Sequence, residues 1–434
     1  MAHKDLLGFS GTFVHCPQLG QLNIFIDHLT VADEQGFIKY FGEAPSDQAV
    51  DEFMHDRFPN ESIHVEVYHI PIGSFMVPTF CDLHLHAPQF LYQGVGLHLP
   101  LMEWLHKYAY DAEKAIDSNP ALATKVYSRL AERLLENGTG AVLLFGTIKE
   151  ESNLILAEVM QKAGIRAFVG KLSMDISSWP DYVEPSADAA LSSARSFIHK
   201  CRALTSQYPA QGRLVEPVIT PRFVPTCTDG LLAALGSLAI DEGVRIQSHM
   251  AEALDQVEWV RKERGREDLD VFYSANLLTS RTVQAHCTYL DMQDLSRTAE
   301  SGTAVAHCPL SNAYFSAKPF PLREALDCGV KVGLGTDIAG GYSLDVMNAM
   351  RQAVVVSKMR EGERQTSSKN SAAADKVELG QNAASIPANL SIDWKESMYL
   401  ATRGGALALG LPKCGLFEVG AHFDAQESKV NPII

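Results

Sequence analysis

The sequence predicts an α/β protein: a (β/α)8 TIM-like barrel with a small β-sandwich domain built from the N-terminal region and the C-terminal tail. Three observations predict it. Apolar runs of strand length recur eight times between residues 76 and 337, each followed by an amphipathic stretch. Residues 1–75 lack that texture and alternate short β-branched and aromatic runs with turn residues. Histidines and carboxylates stand where several apolar runs stop, which is the end of a barrel strand that carries a site. An open doubly wound sheet is the alternative, but no GxGxxG follows the first barrel strand, so a dinucleotide fold has no support.

In the N-terminal region GQLNIFID, GFIKYF and SIHVEVYHI read as strands. The barrel, 76–411, opens with MVPTFCDLH (76–84). It continues through GAVLLFG (140–146), RAFVGKLS (166–173), VEPVITP (215–221), VRIQSH (244–249), TVQAHC (282–287), TAVAHC (303–308) and KVGLGTD (331–337). Between the first two lies PALATKVYSRLAERLLENG, a helix with Val126, Leu130 and Leu134 on one face and Gly138 placed to cap its end. Residues 361–392 are rich in Ser, Ala, Asn and charge and are expected to form a long disordered insert loop. Helix resumes at DWKESMYLATRGGALALG. The tail, 412–434, reads as strand-like and as a shortened return to the β-sandwich.

Composition bounds the function. The chain has 434 residues, 46% of them hydrophobic, enough for a large core. A formal net charge of −15 argues against a nucleic-acid surface and against an anionic membrane partner, and suits a small neutral substrate. Eight cysteines without a CxxC pair read as free thiols in a reducing compartment. No signal peptide is expected in MAHKDLLGFSGTF, and no apolar stretch reaches the length of a membrane helix. A cytoplasmic protein is therefore expected.

The chemistry gathers at strand ends. In CDLHLHAPQ, His84 and His86 are two apart and share a strand face with Asp82. His249 ends VRIQSH, with Glu252 three residues on; His286 ends TVQAHC; Asp337 ends KVGLGTD. Each is a potential ligand or proton carrier, in the chain order that a barrel mouth needs. Imidazoles plus a carboxylate, with no cysteine among them, suit a catalytic zinc or ferrous ion. A carboxylate beside such an ion is the usual proton shuttle, and Glu252 is placed for it. His307, also at a strand end, reads as a supporting residue, and Trp104 as a core or lid anchor.

Taken together, HLHAPQF (84–90), LPLMEWLHKY (99–108), FVGKLSMD (168–175), VITPRFVPTC (218–227), IQSHMAE (246–252), AHCPLSN (306–312), GLGTDIAGGYS (333–343) and ATRGGALALGL (401–411) resemble the amidohydrolase superfamily. The likeness is to its mononuclear-metal deaminase branch, and most nearly to the guanine-deaminating enzymes. That resemblance implies one metal ion per chain, zinc or alternatively iron, on His84, His86, His249 and Asp337. It implies Gln89, Arg222 and Phe223 as contacts to a purine, together with Glu252 and Asp337. Asp337 would take a proton from the attacking water, Glu252 would protonate the ring nitrogen beside the reacting carbon, and His286 would orient the water and stabilise the oxyanion. The implied reaction is hydrolysis of guanine to xanthine and ammonia, and the implied assembly is a homodimer. An aminohydrolase for another heterocycle and a non-catalytic scaffold on the same barrel are the alternatives.

Overall fold

The computed structural model describes residues 4–45, 50–59, 63–177, 179, 181–371 and 387–429. The N-terminal region forms a sheet. In it β1 (Lys4–His15) pairs antiparallel with β2 (Asn23–Ala32), and β2 with β3 (Ile38–Glu43). The other edge of β1 takes two parallel strands: β4 (Ile63–His69) along its first half, then β5 (Ser74–Pro78) at Phe13–Met76. Sequence reading finds β2, β3 and β4 but passes over β1, because two glycines interrupt its apolar pattern. One of them, Gly8, is needed: a Cβ there would stand 2.9 Å from Val65 Cγ1 on the neighbouring strand.

The chain leaves this sheet at Pro78 and enters the barrel at Phe80. The run 76–84, expected as one strand, is thus two strands in two different sheets. Pro78 has no N–H to extend a ladder, and the Thr79 N–H turns aside to the Asp424 carbonyl at 3.0 Å. The barrel strands are β6 (Phe80–His86), β7 (Thr139–Phe145), β8 (Arg166–Ser173), β9 (Val215–Pro221), β10 (Arg245–Met250), β11 (Thr282–His286), β12 (Ala304–His307) and β13 (Lys331–Leu334), each parallel to the next. They are buried nearly throughout, as parallel strands covered by helices must be. The last strand stops at Leu334, short of the expected 337, and Asp337 takes a left-handed φ of 51° in the turn that follows.

Closure of the ring is made by the site residues themselves. The Asp337 N–H donates to the His84 carbonyl (2.8 Å), and the His86 N–H donates to the Ile338 carbonyl (2.9 Å). The fully buried Asp82 carboxylate accepts from the Thr336 N–H at 3.0 Å and from its hydroxyl. Cys81 and Leu83 pack instead in an apolar cluster with Ala406, Leu409 and Cys414.

Two further differences have local causes. The helix Val346–Ser371 runs through the start of the expected loop at 361. Its Glu361 holds Arg364 at 2.6 Å and accepts from the Leu390 N–H at 2.9 Å, so charged residues that read as loop are helix surface. The remainder of that loop, 372–386, lies outside the described residues. Among the described residues of the tail, only β14 (Ala425–Lys429) is a strand, antiparallel to β5, while Phe417 and Ala421 fill the core of the small sheet. The helix Pro120–Glu136 ends as its sequence suggests, with Gly138 at φ +76° just beyond it. Among the described residues all eight cysteines are free, and no helix is long and apolar enough to cross a membrane.

Candidate active site

At the C-terminal end of β6 the ladder to β7 shifts between Asp82 and Leu85, an irregularity of the kind that re-aims side chains beside functional sites. The rings of His84 and His86 stand with centroids 5.1 Å apart. Three other strand ends come to meet them. His249 arrives from β10, His286 from β11 at φ 69°, and Asp337 from the turn after β13. Left-handed backbone at a histidine and an aspartate is strained, and strain of this sort collects at functional sites.

The side chains converge on one volume. His84 Nε2 lies 3.1 Å and His86 Nε2 3.7 Å from Asp337 Oδ1. His286 Nε2 lies 3.8 Å from Asp337 Oδ2 and 3.6 Å from Glu252 Oε2. His86 Nε2 and His249 Nε2 face each other at 3.0 Å. Three overlapping sets keep their ligand atoms within 4.8 Å of one another: His84, His86 and His249; His84, His286 and Asp337; His249, Glu252 and His286.

The donor chemistry fits a metal ion. His249 Nδ1 sits 2.6 Å from the Arg222 carbonyl, which can only accept, so that nitrogen carries the proton and Nε2 offers its lone pair. Asn312 Oδ1, 2.9 Å from His286 Nδ1, sets His286 the same way. Both ring nitrogens of His84, Nδ1 of His86 and Nε2 of His286 are buried without a hydrogen bond. Protonation is a poor way to satisfy those of His86 and His286. Burial, then the neighbouring imidazoles, holds His86 and His249 well below the usual histidine range, and burial brings His286 down to about 4. A cluster of imidazoles with ring nitrogens turned inward, plus one carboxylate, matches a divalent cation of the zinc type.

The two carboxylates of the site are driven apart. Burial, then the charge of Asp337, pushes Glu252 well above the ordinary carboxyl range. Burial acts upward on Asp337 too, but His84 and His286 outweigh it and hold the group below its ordinary value.

Beside this cluster is a cavity that opens toward solvent. It is lined by His86, His249, Glu252 and Asp337 of the cluster and by Gln89, Arg222 and Phe223. Gln89 follows β6 on a short 3-10 turn, and Arg222 and Phe223 follow β9. Leu101, Trp104, Leu105 and Phe315 complete an apolar lining, so Trp104 reaches the cavity as well as packing. His307 is buried against Phe320 and does not line it. Sequence reading misses Glu113, which is fully buried behind the cavity, takes Arg222 in a bidentate pair at 2.7 and 3.0 Å and accepts from Gln89 Nε2 at 2.9 Å.

An eight-stranded parallel barrel with a histidine–carboxylate cluster at its C-terminal mouth defines a barrel enzyme of the metal-binding class. The chain belongs to the amidohydrolase family, whose model matches residues 75–426. It is 37% identical over 425 residues to guanine deaminase of Mus musculus, covering 96% of this chain and 85% of that one. To guanine deaminase of Escherichia coli strain K12 it is 30% identical over 416 residues, covering 94% and 83%. A solved structure described as guanine deaminase from C. acetobutylicum with bound guanine in the active site superposes with a TM-score of 0.82. It is 26% identical and spans 97% of this chain and 90% of that one.

Proposed function

We propose that the chain hydrolyses guanine to xanthine and ammonia with one zinc ion held by His84, His86, His249 and Asp337. The observation that carries this reading is one pocket lined both by hydrogen-bonding and stacking groups for a planar base, Gln89, Arg222 and Phe223, and by two carboxylates, Glu252 and Asp337. Relatives named guanine deaminase at 30–37% identity supply the substrate. When bound, zinc supplies Lewis acidity that makes water a nucleophile at neutral pH.

The protein's own groups do the rest. Phe223 gives the base a flat apolar face, and Gln89 and Arg222 hold its polar edge. Asp337, kept ionised, accepts a proton from the water that attacks C2, and His286 orients that water. Glu252, kept protonated, donates to N3 as the C2–N3 bond becomes single. Proton return to the exocyclic nitrogen lets ammonia leave, and the C2 carbonyl forms. Two buried carboxylates whose surroundings separate their affinities for a proton are the usual mark of an acid and a base in one site. The homodimer implied by the resemblance is part of this reading, and light scattering on the purified chain checks it.

The deciding experiment is the loss of guanine absorbance, with ammonia release, on purified zinc-loaded protein. Turnover with about one zinc per chain is expected. Full zinc occupancy without guanine loss would overturn the reading.

A further inference from the structure

We propose that Glu113 is a positioning residue. It fixes Gln89 and Arg222 as hydrogen-bond donors, so that this end of the cavity selects a 6-oxo purine over a 6-amino purine. The inference rests on the purine reading above and concerns which purine edge the site accepts.

The geometry leaves Gln89 little choice. Its Nε2 donates to Glu113 Oε1 at 2.9 Å, and its Oε1 accepts from the Ala339 N–H at 3.3 Å. Both ends of the amide are thereby assigned, and the hydrogen left over for the cavity belongs to nitrogen. Arg222 is fixed in the same act. Two of its N–H groups go to the two oxygens of Glu113, at 2.7 and 3.0 Å, and the guanidinium lies over the Tyr110 ring at 5.0 Å. An arginine has five N–H donors and no acceptor, so what remains for a ligand is again donor only. The pair is dry: Arg222 is 1% and Glu113 0% exposed. The carboxylate also cancels the arginine charge, which matches this end of the cavity to a neutral base.

A purine edge with a carbonyl oxygen and a ring nitrogen presents acceptors to these donors. An exocyclic amine at the same position sets N–H against N–H and leaves buried donors unpaired, the kind of mismatch that discriminates strongly. Glu113 touches neither the proposed metal ligands nor the cavity, so its effect passes through Gln89 and Arg222.

The test compares dissociation constants of hypoxanthine (6-oxo) and adenine (6-amino) by calorimetry on the zinc-loaded chain. Neither base has an amine at C2 to lose. Wild type is expected to favour hypoxanthine by at least about tenfold. Glu113→Gln puts an amide N–H against Gln89 or Arg222, frees Gln89 to turn over, and is expected to cut the preference to within about threefold. With guanine it should raise KM more than it lowers kcat, at unchanged zinc content. Glu113→Asp retains the charge one methylene further back and should fall between the two; it carries the test should the glutamine variant not fold. A wild type that binds adenine as well as hypoxanthine, or variants whose preference is unchanged, would overturn the inference. A chain that discriminates the two bases but leaves guanine intact keeps this inference and ends the guanine reading. A chain that consumes guanine with a preference indifferent to Glu113 does the reverse.

Discussion

Glu252 and Asp337 are buried carboxylates of one cavity, yet their surroundings push their proton affinities in opposite directions. The proposed chemistry depends on that difference, because an acid must arrive protonated and a base ionised. Glu252→Gln keeps the size and polarity of the side chain and removes the transferable proton. It is expected to lower kcat by about 10²–10⁴-fold while zinc content stays that of wild type. Steady-state turnover and metal analysis on one sample check it; a fully metallated variant with kcat within about threefold would remove Glu252 from the role. The six residues that meet here were legible in the sequence because each stands at the end of an apolar run, and the two-residue spacing of His84 and His86 fixes a shared strand face. Glu113 was not legible. It sits in YDAEKAID, a stretch whose mixed charges look solvated, and its partner Arg222 is 109 residues away. Asn312 and Thr336 were hidden likewise, since neutral polar residues gain meaning only from the histidine or aspartate that they bond.

At the level of elements, sequence pattern located the barrel strands well and their ends less well. RAFVGKLS and VEPVITP are strands over the expected residues, because continuous apolar runs bounded by turns have few other readings. The split at Pro78–Thr79 was missed because both halves are apolar, and only the third dimension assigns them to different sheets. How helices seat around the barrel was also beyond the pattern, and one such junction carries a pH prediction. Asp268 opens the helix Asp268–Ser274, and its Oδ1 accepts from Gln256 Nε2 of the helix Leu254–Arg264 at 3.0 Å. Its other oxygen is buried without a partner. Burial raises the carboxyl from its ordinary 3.8 to about 7. A carboxyl raised by folding supports the fold fully below 3.8, and that support is lost as the pH climbs through about 7. Asp268→Asn removes the titration but keeps the acceptor. Relative to wild type, the variant should gain stability on the order of 2 kcal/mol between about pH 5.5 and about pH 8. Urea midpoints at the two pH values measure it, and parallel shifts of both proteins would show that Asp268 does not titrate in that window.

For the molecule as a whole, the proposed metal site and the closure of the barrel are one structure. The seam between β13 and β6 is held by two backbone hydrogen bonds, both involving site residues, and by the Asp82–Thr336 pair just below them. His84 and His86 lie on one side of that seam, Asp337 on the other, and His249 comes across the mouth from β10. An ion bound by all four would bridge the seam as a staple. The opposite face of the molecule has a different tie: Arg166 of β8 grips Asp424 at 2.6 and 3.3 Å and so fastens the segment before β14 to the barrel. Metal binding to the folded chain alone stabilises it in proportion to the logarithm of free metal over the dissociation constant, about 2.7 kcal/mol at a hundredfold excess. Stripping the metal with a chelator should therefore lower the melting temperature, and restoring zinc should recover it. The location matters more than the size. Amide exchange should quicken at His86 and Asp337, the two N–H donors across the seam, and stay unchanged along β1, β2 and β3, which no proposed ligand touches. Exchange that rises evenly over both regions, or a melting temperature indifferent to verified metal loss, would separate the metal from barrel closure and leave it a purely chemical part.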